Sequence, residues 1–150
     1  MPDDGQTLFE VVGGEPFFRR LVDEFYDGVA EDPVLLRLYP DAPDLTNARW
    51  RLRMFLVQYW GGPTTYSDER GHPRLRLRHL PFHIGPEERD RWLGHMDAAI
   101  DTTTAELAER DDVAETLRAY FHPTAEHLRN DTGLPITQSG RDTLRRGTGD

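Results

Sequence analysis

MFLVQYWGGPTTYSDERGHPRLRLRHLPF, residues 54–82, is the stretch on which the fold turns. It opens as a helix, with Met54, Phe55, Tyr59 and Trp60 at helical spacing, and breaks at Gly61-Gly62-Pro63. The pattern predicts an open, Gly/Pro-punctuated run after the break, then Leu75-x-Leu77-x-His79 before Pro81 stops the chain again. Glycine pairs and proline are costly inside a helix, so His79 falls on a short segment pinned between two breaks. A histidine held among Leu75, Leu80 and Phe82 suits the iron of a large apolar cofactor such as haem. The residues by themselves favour a plainer alternative, a hydrogen-bonded structural histidine.

Upstream, Thr7-x-x-Glu10 has the form of a capping box and predicts a short helix over 8–12. Pro16 suits the first turn of a second helix, whose stripe is Phe18, Leu21/Val22, Phe25 and Val29. Tyr26 sits one residue off that stripe, which predicts a half-buried ring with a wet hydroxyl. Residues 34–39 read as a short apolar turn of helix closed by Pro40, with Tyr39 as a core aromatic. Asp44 or Thr46 caps the next helix, along which Ala48, Leu52, Phe55/Leu56 and Tyr59 share one face.

Downstream, Gly85-Pro86-Glu87-Glu88 starts a helix: cap, proline at the first position, acids in the first turn. Its apolar face is Trp92, Met96 and Ala99/Ile100, and a buried indole N–H there seeks a partner. Asp112-x-x-Glu115 repeats the acid cap before a stripe of Val113, Leu117, Tyr120/Phe121 and Leu128. Pro123 interrupts that stripe at a cost of roughly 3 kcal/mol. His72 reads as a loop residue, and His95, His122 and His127 as surface. Residues 131–150 have no periodicity and many turn formers, so a mobile tail is expected. RLRLRHL alternates like an edge strand but has no partner strand, so the chain reads as all-α.

Length and charge narrow the function. At 150 residues the chain is one domain by the usual prior. Its lack of cysteine rules out disulfides, zinc–thiolate sites, iron–sulfur clusters and thiolate-ligated haem. The net charge of −9 argues against nucleic acid. The acidic start, MPDDGQTLFE, is neither a signal peptide nor a membrane span, which makes a cytoplasmic location the expectation. All 18 basic residues are arginine, and seven of them fall within 49–78 against two acids, leaving that window at +5 and the rest at −14. The plain reading of the window is a solvated face. The functional one is a basic rim for carboxylates, either propionates or an acidic redox partner.

QYWGGPTTYSDERGHPRLRLRHLPF (58–82), with VVGGEPFFRRLVDEFYDGVAEDPVLLRLYP (11–40) before it and GPEERDRWLGHM (85–96) after it, resembles a bacterial group II truncated haemoglobin. Two Gly-Gly breaks, Tyr59-Trp60-Gly61-Gly62-Pro63, Arg78-His79-x-Pro81-Phe82 and Arg89-Asp90-x-Trp92 occur in family order and spacing. The resemblance implies a two-over-two helical sandwich over residues 1–130 and haem b (iron protoporphyrin IX) with His79 as the proximal iron ligand. It puts Tyr26, Tyr39 and Trp92 on the distal side, and Leu52, Phe55, Tyr66, Leu75, Arg78 and Phe82 among the haem contacts. Ala48 falls where many haemoglobins carry a distal histidine, so any polar contact to ligand comes from those three donors. They imply firm, slowly released dioxygen, with carbon monoxide and nitric oxide as further ligands. Such a pocket suits storage or sensing, or else nitric oxide dioxygenation or peroxide reduction with an external reductase, better than it suits shuttling oxygen. A second copy of the chain, as a homodimer, completes the expected partners.

Overall fold

The computed structural model describes residues 6–71 and 84–129, and the described chain is helical throughout, with no strand. In order the helices are α1 (Leu8–Val11), α2 (Glu15–Val29), α3 (Pro33–Leu36), α4 (Thr46–Tyr59), α5 (Thr65–Arg70), α6 (Pro86–Thr104) and α7 (Arg110–His127). The expectations for His72, Leu75, Arg78, His79, Phe82 and His83, and for the tail 131–150, lie outside the described residues.

Helix α2 is the centre of the packing, because it is the most strongly two-faced element. Phe17, Phe18, Leu21, Val22, Phe25, Tyr26 and Val29 are buried along one side of it. At about 1.5–3 kcal/mol for each large apolar side chain, that face alone supplies a large share of the driving force. It packs against α4 on one side and α6 on the other, and α6 carries α7 in turn. Leu56 and Val57 of α4, Met96 and Ile100 of α6, and Val113, Leu117 and Phe121 of α7 complete the core.

The first helix is seated by two glycines. Thr7 and Glu10 form the capping box, with Glu10 N donating to Thr7 Oγ1 at 3.2 Å and Thr7 N to Glu10 Oε1 at 3.1 Å. Phe9 N then donates to Trp60 O at 3.0 Å, so α1 lies directly on the end of α4. A Cβ at Gly61 would sit 2.6 Å from Thr7 Cβ, and one at Gly62 would sit 2.6 Å from Val57 Cγ1 and 2.7 Å from Phe9 Cε1. Gly61 also has φ +108°, which a side chain would strain.

Four expectations need correction. The run after Gly62 is not open, because Thr65–Arg70 is a helix. Gln58 fixes it, accepting from Ser67 N at 2.9 Å and donating to Ser67 Oγ at 2.8 Å. Tyr59 does not share the buried face of α4: it is 53% exposed, and its ring leans on Tyr120 at a tilt with ring centroids 4.4 Å apart. Asp44 does accept from Thr46 N at 3.0 Å, but the α4 cap position belongs to Leu45. Helix α7 begins at Arg110, earlier than the acid pattern implied, with Asp111 and Asp112 in its first turn and Pro123 inside it. Two arginines of the basic window are spent inside the fold, bracing α4 on α2: Arg49 pairs with Asp23 (3.0 Å) and Asp27 (3.1 Å), and Arg53 with Glu15 (3.1 Å).

Candidate functional site

Three donor side chains from three elements meet on one side of α2. Tyr26 lies next to Phe25 on α2, and the two rings pack edge to face at 4.8 Å. It is buried, not half-wet: the residue is 5% exposed. Tyr39 arrives from the turn that follows α3, a turn closed by Leu38 N→Leu35 O (2.9 Å), Tyr39 N→Leu36 O (3.1 Å) and Ala42 N→Tyr39 O (3.0 Å). Its ring meets the Tyr26 ring edge-on at 5.6 Å. Trp92 comes from α6 and leans on Phe25 at 4.8 Å and on Phe121 at 5.6 Å.

The polar ends of the three stand together: the Tyr39 hydroxyl lies between the Tyr26 hydroxyl and the Trp92 indole N–H, and an indole can only donate. Burial, with Tyr39 beside it, pushes the Tyr26 phenol well above its ordinary range, and Arg51 and Arg49 offset only part of that. Burial also raises Tyr39, against the nearby Tyr26 hydroxyl and Trp92 indole and the charge of Arg51. Both phenols therefore stay protonated at neutral pH. A tyrosine hydroxyl has two acceptor positions and one hydrogen. Tyr26 and Tyr39 can spend only one hydroxyl hydrogen on each other, so one phenol hydrogen of the pair is left to give.

Helix α4 runs beside these tyrosines. Arg49 lies over the Tyr26 ring at 5.8 Å, and further along come Leu52 and Phe55, partly buried apolar side chains packed against the core. Phe55 meets Tyr66 of α5 edge to face at 5.7 Å, and Tyr66 is buried. Arg70 lies over the Tyr66 ring. The site thus sets the buried Tyr26 and the partly buried Tyr39 and Trp92 beside α4, whose partly buried Leu52 and Phe55 continue the apolar surface toward Tyr66. That chemistry fits a flat, largely apolar haem whose open face takes a small, partly negative ligand.

Sequence reading missed a neighbouring group. Asp32 is buried at the start of α3, and His95, read as a surface residue, lies 2.8 Å from it. Asp32-Pro33 is a visible cap-and-proline signal, but nothing local connects it to a histidine on α6.

The model of a family described as bacterial-like globin matches residues 7–130. A group 2 truncated haemoglobin of Bacillus subtilis is 42% identical over 119 residues, covering 79% of this chain and 86% of its own length. The chain belongs to the bacterial-like globins, among the group II truncated haemoglobins. This globin shares its two-over-two helical fold with solved relatives. A thermostable haemoglobin from Thermobifida fusca is 51% identical with a TM-score of 0.77, over 85% of this globin and 99% of that chain. The group II truncated haemoglobin of Bacillus anthracis is 42% identical with a TM-score of 0.72, over 83% and 97%. Membership of this family carries haem binding and small diatomic ligands with it. Among the described residues no helix is long and apolar enough to cross a membrane.

Proposed function

We propose that this globin binds haem b through His79 and holds dioxygen for slow release under the control of Tyr39, with carbon monoxide and nitric oxide as further ligands. The observation that carries the reading is the convergence of Tyr26 and Trp92 on the Tyr39 hydroxyl. Bound haem supplies the iron that takes the diatomic ligand; the chain supplies its surroundings. Leu52, Phe55 and Tyr66 exclude water from one side. Tyr39 would donate its hydrogen to the ligand while its oxygen takes the Tyr26 hydroxyl and the Trp92 indole N–H, an order that makes the hydrogen a better donor because hydrogen bonds in series polarise one another. Trp92 and Tyr26 thus act chiefly through Tyr39, and they fix its ring where the donation is aimed.

A hydrogen bond to a charged or strongly polarised acceptor contributes about 1.5–3 kcal/mol, and about 1.4 kcal/mol is tenfold in an equilibrium or a rate. One such bond slows oxygen escape by roughly ten- to a hundredfold. A B. subtilis relative, 40% identical with a TM-score of 0.73, is described as oxygen-avid, which accords with this. The test is stopped-flow oxygen release from the ferrous protein. Tyr39→Phe is expected to release oxygen at least about tenfold faster while carbon monoxide release changes less. Release at the wild-type rate overturns the role of Tyr39. The haem assignment is tested separately: His79→Ala is expected to lose stable haem, while His83→Ala and His72→Ala keep it. Full haem occupancy with an unchanged Soret band in His79→Ala removes His79 as the ligand.

A further inference from the structure

The carboxylate of Asp32 is 6% exposed and gathers donors from two helices. Its Oδ1 accepts from Val34 N (3.1 Å) and Leu35 N (3.4 Å), which caps α3. The same oxygen accepts from Arg91 Nη1 at 3.1 Å, and Oδ2 lies 2.8 Å from His95 Nε2, both on α6. Arg91 and His95 stand one helical turn apart and bracket Trp92. Asp32 starts the helix whose following turn carries Tyr39. A single buried carboxylate therefore ties the turn that holds the indole donor to the segment that holds its acceptor.

Two further contacts serve the same tie. A Cβ at Gly28 would lie 2.5 Å from His95 Nδ1, so only the bare glycine lets the imidazole lie against α2 and reach Asp32. At the other end of α3, Arg37 pairs with Glu88 at 3.2 Å, and Glu88 also accepts from Gly85 N at 2.9 Å. Helix α3 is strapped to α6 at its start and at its end.

We propose that Asp32 is a positioning residue for the donor triad: by gripping Arg91 and His95 it sets α6 against the α3 turn and so holds the Trp92 indole N–H toward Tyr39. This rests on the reading of the triad given above. A helix cap alone does not require an aspartate, because serine caps about as well; serine is too short to reach α6. Asp32→Ser thus keeps the cap and loses the strap, whereas Asp32→Asn keeps the length and an oxygen for Arg91 together with an amide for His95.

The experiment follows the Trp92 indole N–H by nuclear magnetic resonance in the full-length protein with haem and carbon monoxide bound, the signal being assigned by its loss in Trp92→Phe. Asp32→Ser is expected to move that resonance and to raise its exchange with solvent at least about tenfold, as loss of one hydrogen bond predicts. Asp32→Asn is expected to stay near wild type. The double variant Arg91→Gln/His95→Gln, which leaves the α3 cap alone, is expected to reproduce Asp32→Ser and decides the matter if Asp32→Ser does not fold. An unchanged indole signal in the folded Asp32→Ser or in the double variant overturns the proposal and leaves Asp32 as a cap only. If Tyr39→Phe leaves oxygen release unchanged while Asp32→Ser still moves the indole, the functional reading has failed and the positioning role has survived.

Discussion

Tyr39 is the residue on which the chemistry converges, and its neighbours make its contribution testable one group at a time. Trp92→Phe keeps an aromatic ring and deletes the indole N–H beside Tyr39; Tyr26→Phe deletes the neighbouring hydroxyl. Each is expected to speed oxygen release, and the double variant to do so by less than the product of the two, because both act through one hydroxyl. Stopped-flow release from the three proteins gives the coupling directly. The same burial predicts the alkaline behaviour. A phenol whose folded pKa is raised ionises in the unfolded chain first, near 10, so its favourable contribution is whole below about pH 10 and drains away as pH rises toward the folded value. Tyr26 and Tyr39 are both raised, and Tyr120, under burial and beside Tyr59, is pushed up to about 12. Urea midpoints are expected to fall between pH 10 and 12, and to fall less in Tyr26→Phe/Tyr39→Phe. At this scale the residue types of the site were legible, since Tyr26, Tyr39 and Trp92 could be named from the resemblance. How their polar ends meet was not, because it depends on where three elements far apart in the chain place their side chains.

Among the elements, the α1–α4 junction makes the sharpest demand. Gly62→Ala would thrust a methyl between Val57 and Phe9. With overpacking costing about 1–3 kcal/mol, a lower urea midpoint with unchanged slope is expected. Gly61→Ala adds a strained φ to a clash with Thr7 and is expected to cost at least as much. Pro123 poses the opposite case. It is exposed inside α7 and denies that helix one backbone hydrogen bond. Pro123→Ala is expected to raise stability by up to about 3 kcal/mol, read as a higher midpoint. The long helices were plain in the sequence because their apolar residues recur at helical steps, as Phe18, Leu21, Val22, Phe25 and Val29 do. Helix α5 was not, since TYSDER has no stripe and is held by the Gln58 side chain. Tyr59 was misplaced for a related reason: periodicity gives the direction of a side chain but not whether another element covers it.

On the scale of the whole molecule, the negative bulk and the basic window partly cancel inside the fold. The Arg49 and Arg53 pairs reach across from α4 to acids of α2; the acids that Arg49 meets are open to water, where a pair contributes little, and the Arg53–Glu15 pair is half-buried. Stability should therefore respond weakly to salt, while the buried stripe of α2 dominates. From composition, removing residues 135–150 is expected to leave the melting temperature within a few degrees and haem affinity nearly unchanged; a larger drop would show that this segment packs on the body. The contact between Gly28 and His95 has a further consequence, one of inheritance. An alanine at 28 collides with the imidazole, so a lineage that acquires a side chain at 28 must surrender the grip on Asp32, and one that gives up the histidine gains freedom at 28. In this globin two positions 67 residues apart are tied by one contact.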